Sequence, residues 1–134
     1  MPERALAGLL DTSAVIDLEH LDSRDLPVEL SVSSLTFAEL AVGPHATNDP
    51  DERARRQDRL QRTEATFEPL PFDGDAARAY GRICARVLAL GRQPRSRAVD
   101  LMVAAVACAS GLPVVTRNPG DLKGLEGLVE VIPV

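Results

Sequence analysis

Short apolar segments alternate with helical ones along this chain, and that alternation constrains the fold more than any other feature. Ala5 to Leu10 is an apolar run ending in Asp11-Thr12-Ser13, a strand feeding a helix capped by oxygen side chains; Ala14, Val15, Leu18 and Leu21 then recur at helical spacing. Val28, Leu30 and Val32 alternate within a second strand, Val28 to Ser33, and Leu35 to Val42 resumes helical spacing until Gly43-Pro44 stops it. Asp49 to Phe67 mixes acids with arginines and has little apolar face, which predicts an exposed helix. After an extended, Pro-interrupted segment from Glu68 to Phe72, Asp73-Gly74-Asp75 opens a helix. Its Ala76, Tyr80, Ile83, Val87 and Leu90 form one stripe, and Gly91 ends it. Gln93 to Arg97 is a polar loop. Ala98 to Ser110 is apolar nearly all round, so that helix belongs in the interior and Gly111 caps it. Pro113 to Thr116 is a strand, Arg117 to Asp121 a turn-rich loop, and Val129 to Val134 a last strand. Strands alternating with helices predict an α/β fold of three layers, with a mostly parallel central sheet between helices.

The 134 residues amount to one domain, and 45% apolar with 26% charged is the balance of an ordinary globular protein. Four aromatics (Phe37, Phe67, Phe72 and Tyr80) leave the core to Leu, Val, Ile and Ala and exclude a nucleic-acid platform of stacked rings. A net charge of −5 argues against coating nucleic acid through bulk positive potential, so any such encounter depends on a local patch. Lys123 is the single lysine beside fourteen arginines, so a lysine nucleophile or phosphate-binding lysine is excluded elsewhere. Cys84 and Cys108 lack zinc spacing and read as buried packing residues in a reducing compartment, while His20 and His45 read as surface positions. The longest apolar run, Leu101 to Ala109, falls far short of the roughly 20 residues that span a bilayer. The first ten residues carry an acid and lack the shape of a secretory leader, so a cytoplasmic protein is expected.

In an open parallel sheet, ligands bind beyond the carboxyl ends of the strands. Acids collect at those positions here: Asp11 after the first strand, Glu39 in the helix after the second, Asp100 opening the interior helix, and Asn118 with Asp121 after the strand ending at Thr116. Each has a structural role available. Asp11 or Ser13 can cap a helix, Thr36 to Glu39 fits a capping box, Asp100 suits a helix dipole, and Asp121 suits a turn. Together they ask for a countercharge, because two carboxylates ~6 Å apart at an effective dielectric of ~20 repel by about 3 kcal/mol. Carboxylates without histidine or cysteine select Mg²⁺ or Mn²⁺.

The segments Leu-Leu-Asp11-Thr12-Ser13, Ser-Leu-Thr-Phe-Ala-Glu39-Leu, Ala-Val-Asp100-Leu-Met and Val-Val-Thr116-Arg117-Asn118-Pro-Gly-Asp121 resemble the four acidic motifs of PIN domains. More closely, they resemble those of the VapC toxins of bacterial toxin–antitoxin pairs, in order, spacing and total length. That resemblance implies a single PIN domain over residues 1–134 and an Mg²⁺- or Mn²⁺-dependent endoribonuclease. Asp11, Glu39, Asp100 and Asp121 then become the catalytic metal ligands, and Thr12, Ser13, Thr116, Arg117 and Asn118 the substrate or ligand-shell contacts. It also implies an RNA substrate, a VapB-like antitoxin that covers the site, and a homodimer.

Arg117 beside the site and Arg95 and Arg97 ahead of Asp100 are candidates for backbone phosphates. The arginines from Arg53 to Arg62 read instead as a solvated helix, with Glu52–Arg56 and Asp58–Arg62 paired at i,i+4. Ser13 stands where a haloacid-dehalogenase-like phosphatase needs a second acid, and neither GxGxxG nor GxxxxGK[ST] occurs. The remaining alternative is a catalytically silent PIN-like interaction module, whose expected mark is loss of the acids.

Overall fold

A computed structural model describes residues 4–134; the first three residues of the leader reading lie outside them. Strands β1 (Ala7–Leu10), β2 (Glu29–Val32), β3 (Val114–Thr116) and β4 (Val131–Pro133) form one sheet in the order β2-β1-β3-β4, and every described pair is parallel. Leu10 aligns with Val32 on one side and Val115 on the other, so a row of apolar side chains crosses the sheet. The segment expected to be extended before Phe72 adds a parallel bridge at the β2 edge, where Leu70 pairs with Ser33.

Side chains alternate across the pleat, and the two faces gather separate cores. Leu9 and Val114 join α4 (Gly74–Ala89) and α5 (Ala98–Ser110), with Ala79, Ile83, Leu101 and Val103 at the centre. Leu10, Val32 and Val115 face the other way, onto Ala14 and Val15 of α1 (Thr12–Ile16) and Leu40 of α2 (Ser34–Val42). Leu60 and Phe67 bring α3 (Pro50–Thr66) and the residue that follows it onto that face. Three layers result, as expected. The interior helix spans the predicted residues, and Gly111 ends it in the left-handed conformation (φ 68°) that lacks a Cβ penalty only for glycine.

Several local expectations are corrected. The first helix stops at Ile16 and continues as separate 3-10 turns at Leu18–His20 and Ser23–Asp25, yet Leu18 and Leu21 still pack on the core. A 3-10 turn at Gly43–Ala46 follows α2, and Arg53 and Arg56 of α3 strap it by donating to the carbonyls of Pro44 and Gly43 at 3.1 and 2.8 Å. Glu52 does pair with Arg56, at 3.1 Å, but Arg62 turns to Glu19 rather than Asp58. Leu90 leaves the α4 stripe, 48% exposed, because the helix has ended before it. Cys84 and Cys108 are half-buried rather than enclosed. His20 and His45 are on the surface as expected, and no helix among the described residues is long and apolar enough to cross a membrane.

Candidate active site

The carboxyl ends of β1 and β3 meet where the strand order reverses direction, which is where an open parallel sheet leaves a crevice. Asp11 occupies that point. Its backbone N–H donates to the Val115 carbonyl at 3.0 Å, and its Oδ1 accepts from the Ala14 N–H at 2.9 Å and the Ser13 hydroxyl at 2.6 Å. Asp11 therefore does cap α1, while its second oxygen has no assigned donor among these contacts. Ser13 is a local hub: besides bonding Asp11, its Oγ accepts the Arg117 N–H at 3.1 Å and lies 3.4 Å from Thr116 Oγ1.

Glu39 is not part of a capping box. Ser33 caps α2 by accepting from the Thr36 N–H at 3.3 Å, and Glu39 accepts from the Thr12 hydroxyl at 2.5 Å instead. Thr12 Oγ1 is also 3.0 Å from the fully buried Thr36 Oγ1. Thr12 is the donor toward both oxygens, and its one proton is divided between the Glu39 carboxylate, the shorter contact, and Thr36 Oγ1. This hydroxyl chain ties the acid of α2 to the start of α1.

Asp100 stands in the first turn of α5, the helix packed against both α4 and α2. Burial first, and then the carboxylates of Glu39, Asp121 and Asp11, push its carboxyl above the ordinary range, while Arg97 pulls partly back. The acids drawn from four separate elements are thus electrostatic neighbours. Asp121, in the 3-10 turn Pro119–Leu122, belongs to the group and is bridged by Arg97 at 2.8 Å. Asn118 is exposed in the same loop, its N–H donating to Thr116 Oγ1 at 3.0 Å.

Among the described residues no three acids, histidines or cysteines converge closely enough to hold an ion as they stand. Like charges keep apart, and Asp11, Glu39 and Asp121 each rest on a donor of this chain. The donor set still fits a hard divalent cation: it consists of carboxylates and hydroxyls only, and the upward push on Asp100 marks negative charge that a cation would offset. Thr116 is 1% exposed, and its hydroxyl lies 3.4 Å from Ser13 Oγ and accepts the Asn118 N–H. Arg117 is exposed at the rim, its Nε 3.2 Å from Asp17. Asp17, Thr36 and the Arg97–Asp121 bridge escaped sequence reasoning, since no local spacing signals a partner twenty or a hundred residues away.

A family model of the PIN domain matches residues 8–125. Ribonuclease VapC5 of Mycobacterium tuberculosis is 41% identical over 128 residues, covering 93% of this chain and 92% of that protein. Among solved structures, VapBC-5 of Mycobacterium tuberculosis, a member of the VapBC family of toxin–antitoxin systems, superposes with a TM-score of 0.86 at 40% identity, over 96% of this chain and 99% of the other. FitAcB from Neisseria gonorrhoeae does so with a TM-score of 0.70 at 27% identity, over 92% and 95%. Matched by that family model over most of its length and by a ribonuclease VapC relative over 93% of it, the chain belongs to the PIN-domain family and, within it, to the VapC ribonucleases.

Proposed function

We propose that this chain, acting as one PIN domain over residues 1–134, is the endoribonuclease toxin of a toxin–antitoxin pair and hydrolyses RNA phosphodiester bonds with Mg²⁺ or Mn²⁺. The observation that carries the reading is the placement of Asp11 directly after β1, Glu39 in the helix after β2, Asp100 in the first turn of α5 and Asp121 in the turn after β3, with the Asp100 carboxyl pushed up by burial and by the other three. These four residues would hold the ion. When bound, a divalent ion neutralises charge on the phosphate oxygens and polarises water for attack.

The chain's own groups prepare that site. Thr12 holds the Glu39 carboxylate to the start of α1, and Ser13 fixes Asp11 against the loop that carries Arg117 and Asn118. Arg97 neutralises Asp121 and lies where a polyanion approaching the acids would meet it. Arg117 and Asn118, both exposed, are the substrate contacts; Thr116 acts through them. The toxin–antitoxin complexes among its structural relatives support a VapB-like protein partner, and a homodimer and a cytoplasmic location complete the reading.

The test is cleavage of a mixed structured-RNA pool by the purified protein with Mn²⁺, with EDTA, and as Asp100→Asn, with the new ends mapped. Metal-dependent cuts that vanish in the variant are expected. Absence of cleavage, together with no Mn²⁺-dependent rise in melting temperature, would leave the interaction module as the better description.

A further inference from the structure

A cavity of about 280 Å³ opens beside Asp121, between the end of α4, the turn Pro94–Arg97 and the loop after β3. Its floor is aliphatic, made of Val87, Leu101 and Leu125, all essentially buried. Its rim is cationic: Arg92, Arg97 and Lys123 stand around it against the one acid, Asp121. In a chain of net charge −5, three cations against one acid leave this cavity's own lining with two positive charges in excess. The rim is also built rather than loose. Arg97 bridges Asp121 at 2.8 Å, forming a wall shared with the acid cluster, and Arg92 Nη1 donates to the Lys123 carbonyl at 3.2 Å. Arg86 donates to the carbonyls of Gly124 and Glu126 at 3.2 and 3.1 Å and holds the same loop from below.

An aliphatic floor with a cationic rim suits a ligand that is flat and apolar on its faces, polar on its edges and joined to a phosphate. A nucleotide has that description. The volume lies near the lower limit of small-molecule pockets, roughly 300 Å³, which suits a ligand of about the size of a nucleotide's base. Gln93, which also lines the cavity, carries both a donor and an acceptor on its carboxamide and so can read a base edge. The guanidinium planes of Arg92 and Arg97 offer the stacking surface that the chain's few aromatic rings do not provide. We propose that this cavity is a nucleotide subsite, receiving the base next to the scissile phosphate of an RNA strand and setting the base preference of cleavage. The assignment rests on the nuclease reading for the word scissile, and the binding step is testable without it.

The isotope-labelled full chain, free of metal in EDTA, is titrated with each of the four ribonucleoside 5′-monophosphates and with ribose 5-phosphate while amide resonances are followed. Saturable shifts at Gln93, Ser96 and Lys123 are expected for at least one nucleotide, with a much weaker response to ribose 5-phosphate. Binding of that nucleotide should fall about tenfold in Gln93→Ala and in Lys123→Ala. No saturable shift at these amides, or equal shifts with the base-free sugar phosphate, overturns the subsite whether or not the protein cleaves RNA. In the Mn²⁺ cleavage assay, Gln93→Ala should change the base found beside the cut while leaving the Mn²⁺-dependent rise in melting temperature intact. If the wild-type protein cleaves and the variant's cut sites are unchanged, the subsite is wrong and the nuclease reading stands. If the wild-type protein neither cleaves nor gains stability from Mn²⁺ but nucleotides bind at these amides with the base dependence above, the nuclease reading fails and the cavity stands as a nucleotide-binding site without a part in cleavage.

Discussion

Asp100 shows how a single side chain reports the state of the whole site. Its carboxyl is pushed up by burial and by three other carboxylates, so the folded chain takes up its charge less readily than the unfolded chain does. Nothing is lost below the unfolded value; as pH rises through the folded value, the charge must be carried in the crevice and stability falls. Asp100→Asn should therefore raise the melting temperature of the metal-free protein by a few degrees at pH 7. The gain should be smaller near about pH 4, close to the ordinary carboxylate value, than at pH 7. Parallel thermal melts in EDTA at the two pH values check this, and a variant less stable than wild type at pH 7 would refute it. Thr12 gives the complementary case. Thr12→Val removes the donor to Glu39 and to the buried Thr36 hydroxyl, an expected loss of about 1–3 kcal/mol by urea denaturation. Thr12→Ser, which keeps the hydroxyl, should recover most of it.

At the scale of elements, the central strand is the least tolerant part of the chain. A Cβ added at Gly8 of β1 would lie 2.8 Å from Pro27 Cγ and 3.0 Å from Val115 Cγ2, between a ring and a branched side chain that cannot both retreat. Gly8→Ala is expected to cost about 1–3 kcal/mol, read as a lower urea midpoint with an unchanged slope. The helix Pro50–Thr66 makes the opposite point. Its arginines invite a reading as an RNA track, yet Arg53 and Arg56 spend their guanidinium groups on the carbonyls of the preceding turn, and Arg55 on Glu52. That much of its positive charge is structural follows from contacts that helical periodicity does not contain.

For the whole molecule, the negative net charge makes attraction of RNA a local matter. Two measurements follow. Mn²⁺ at about 100 times its dissociation constant should stabilise the fold by about 2.7 kcal/mol, and Asp100→Asn should lose most of that gain. RNA affinity of Asp100→Asn, measured across a salt series, should have a shallow slope of about −2 in log–log form. Each phosphate on a single strand contributes about −0.7, and the cations near the crevice serve about three phosphates. A slope steeper than about −4 would mean that the arginines of α3 join the interface after all.

By itself the sequence determined the layers and the candidate acids. Apolar spacing is a local property, and it is visible at Leu9 and Leu10, at Ala76, Ile83 and Val87, and along the helix that is apolar all round. The topological rule for parallel sheets then directs attention to Asp11, Asp100 and Asp121 without coordinates. Tertiary structure decided which donor each acid takes. Glu39 looked like a partner for Thr36 three residues away, and it accepts instead from Thr12, twenty-seven residues earlier. Asp121 looked like a turn residue, and it is held by Arg97 of another element. The ending of the first helix at Ile16 belongs with these. Leu18 and Leu21 reach the core without helical continuity, because the sheet and α3 receive them whatever the backbone between them does. A carboxylate accepts from whichever donor the fold brings within about 3 Å, and that proximity is a property of the packed chain rather than of any window along it.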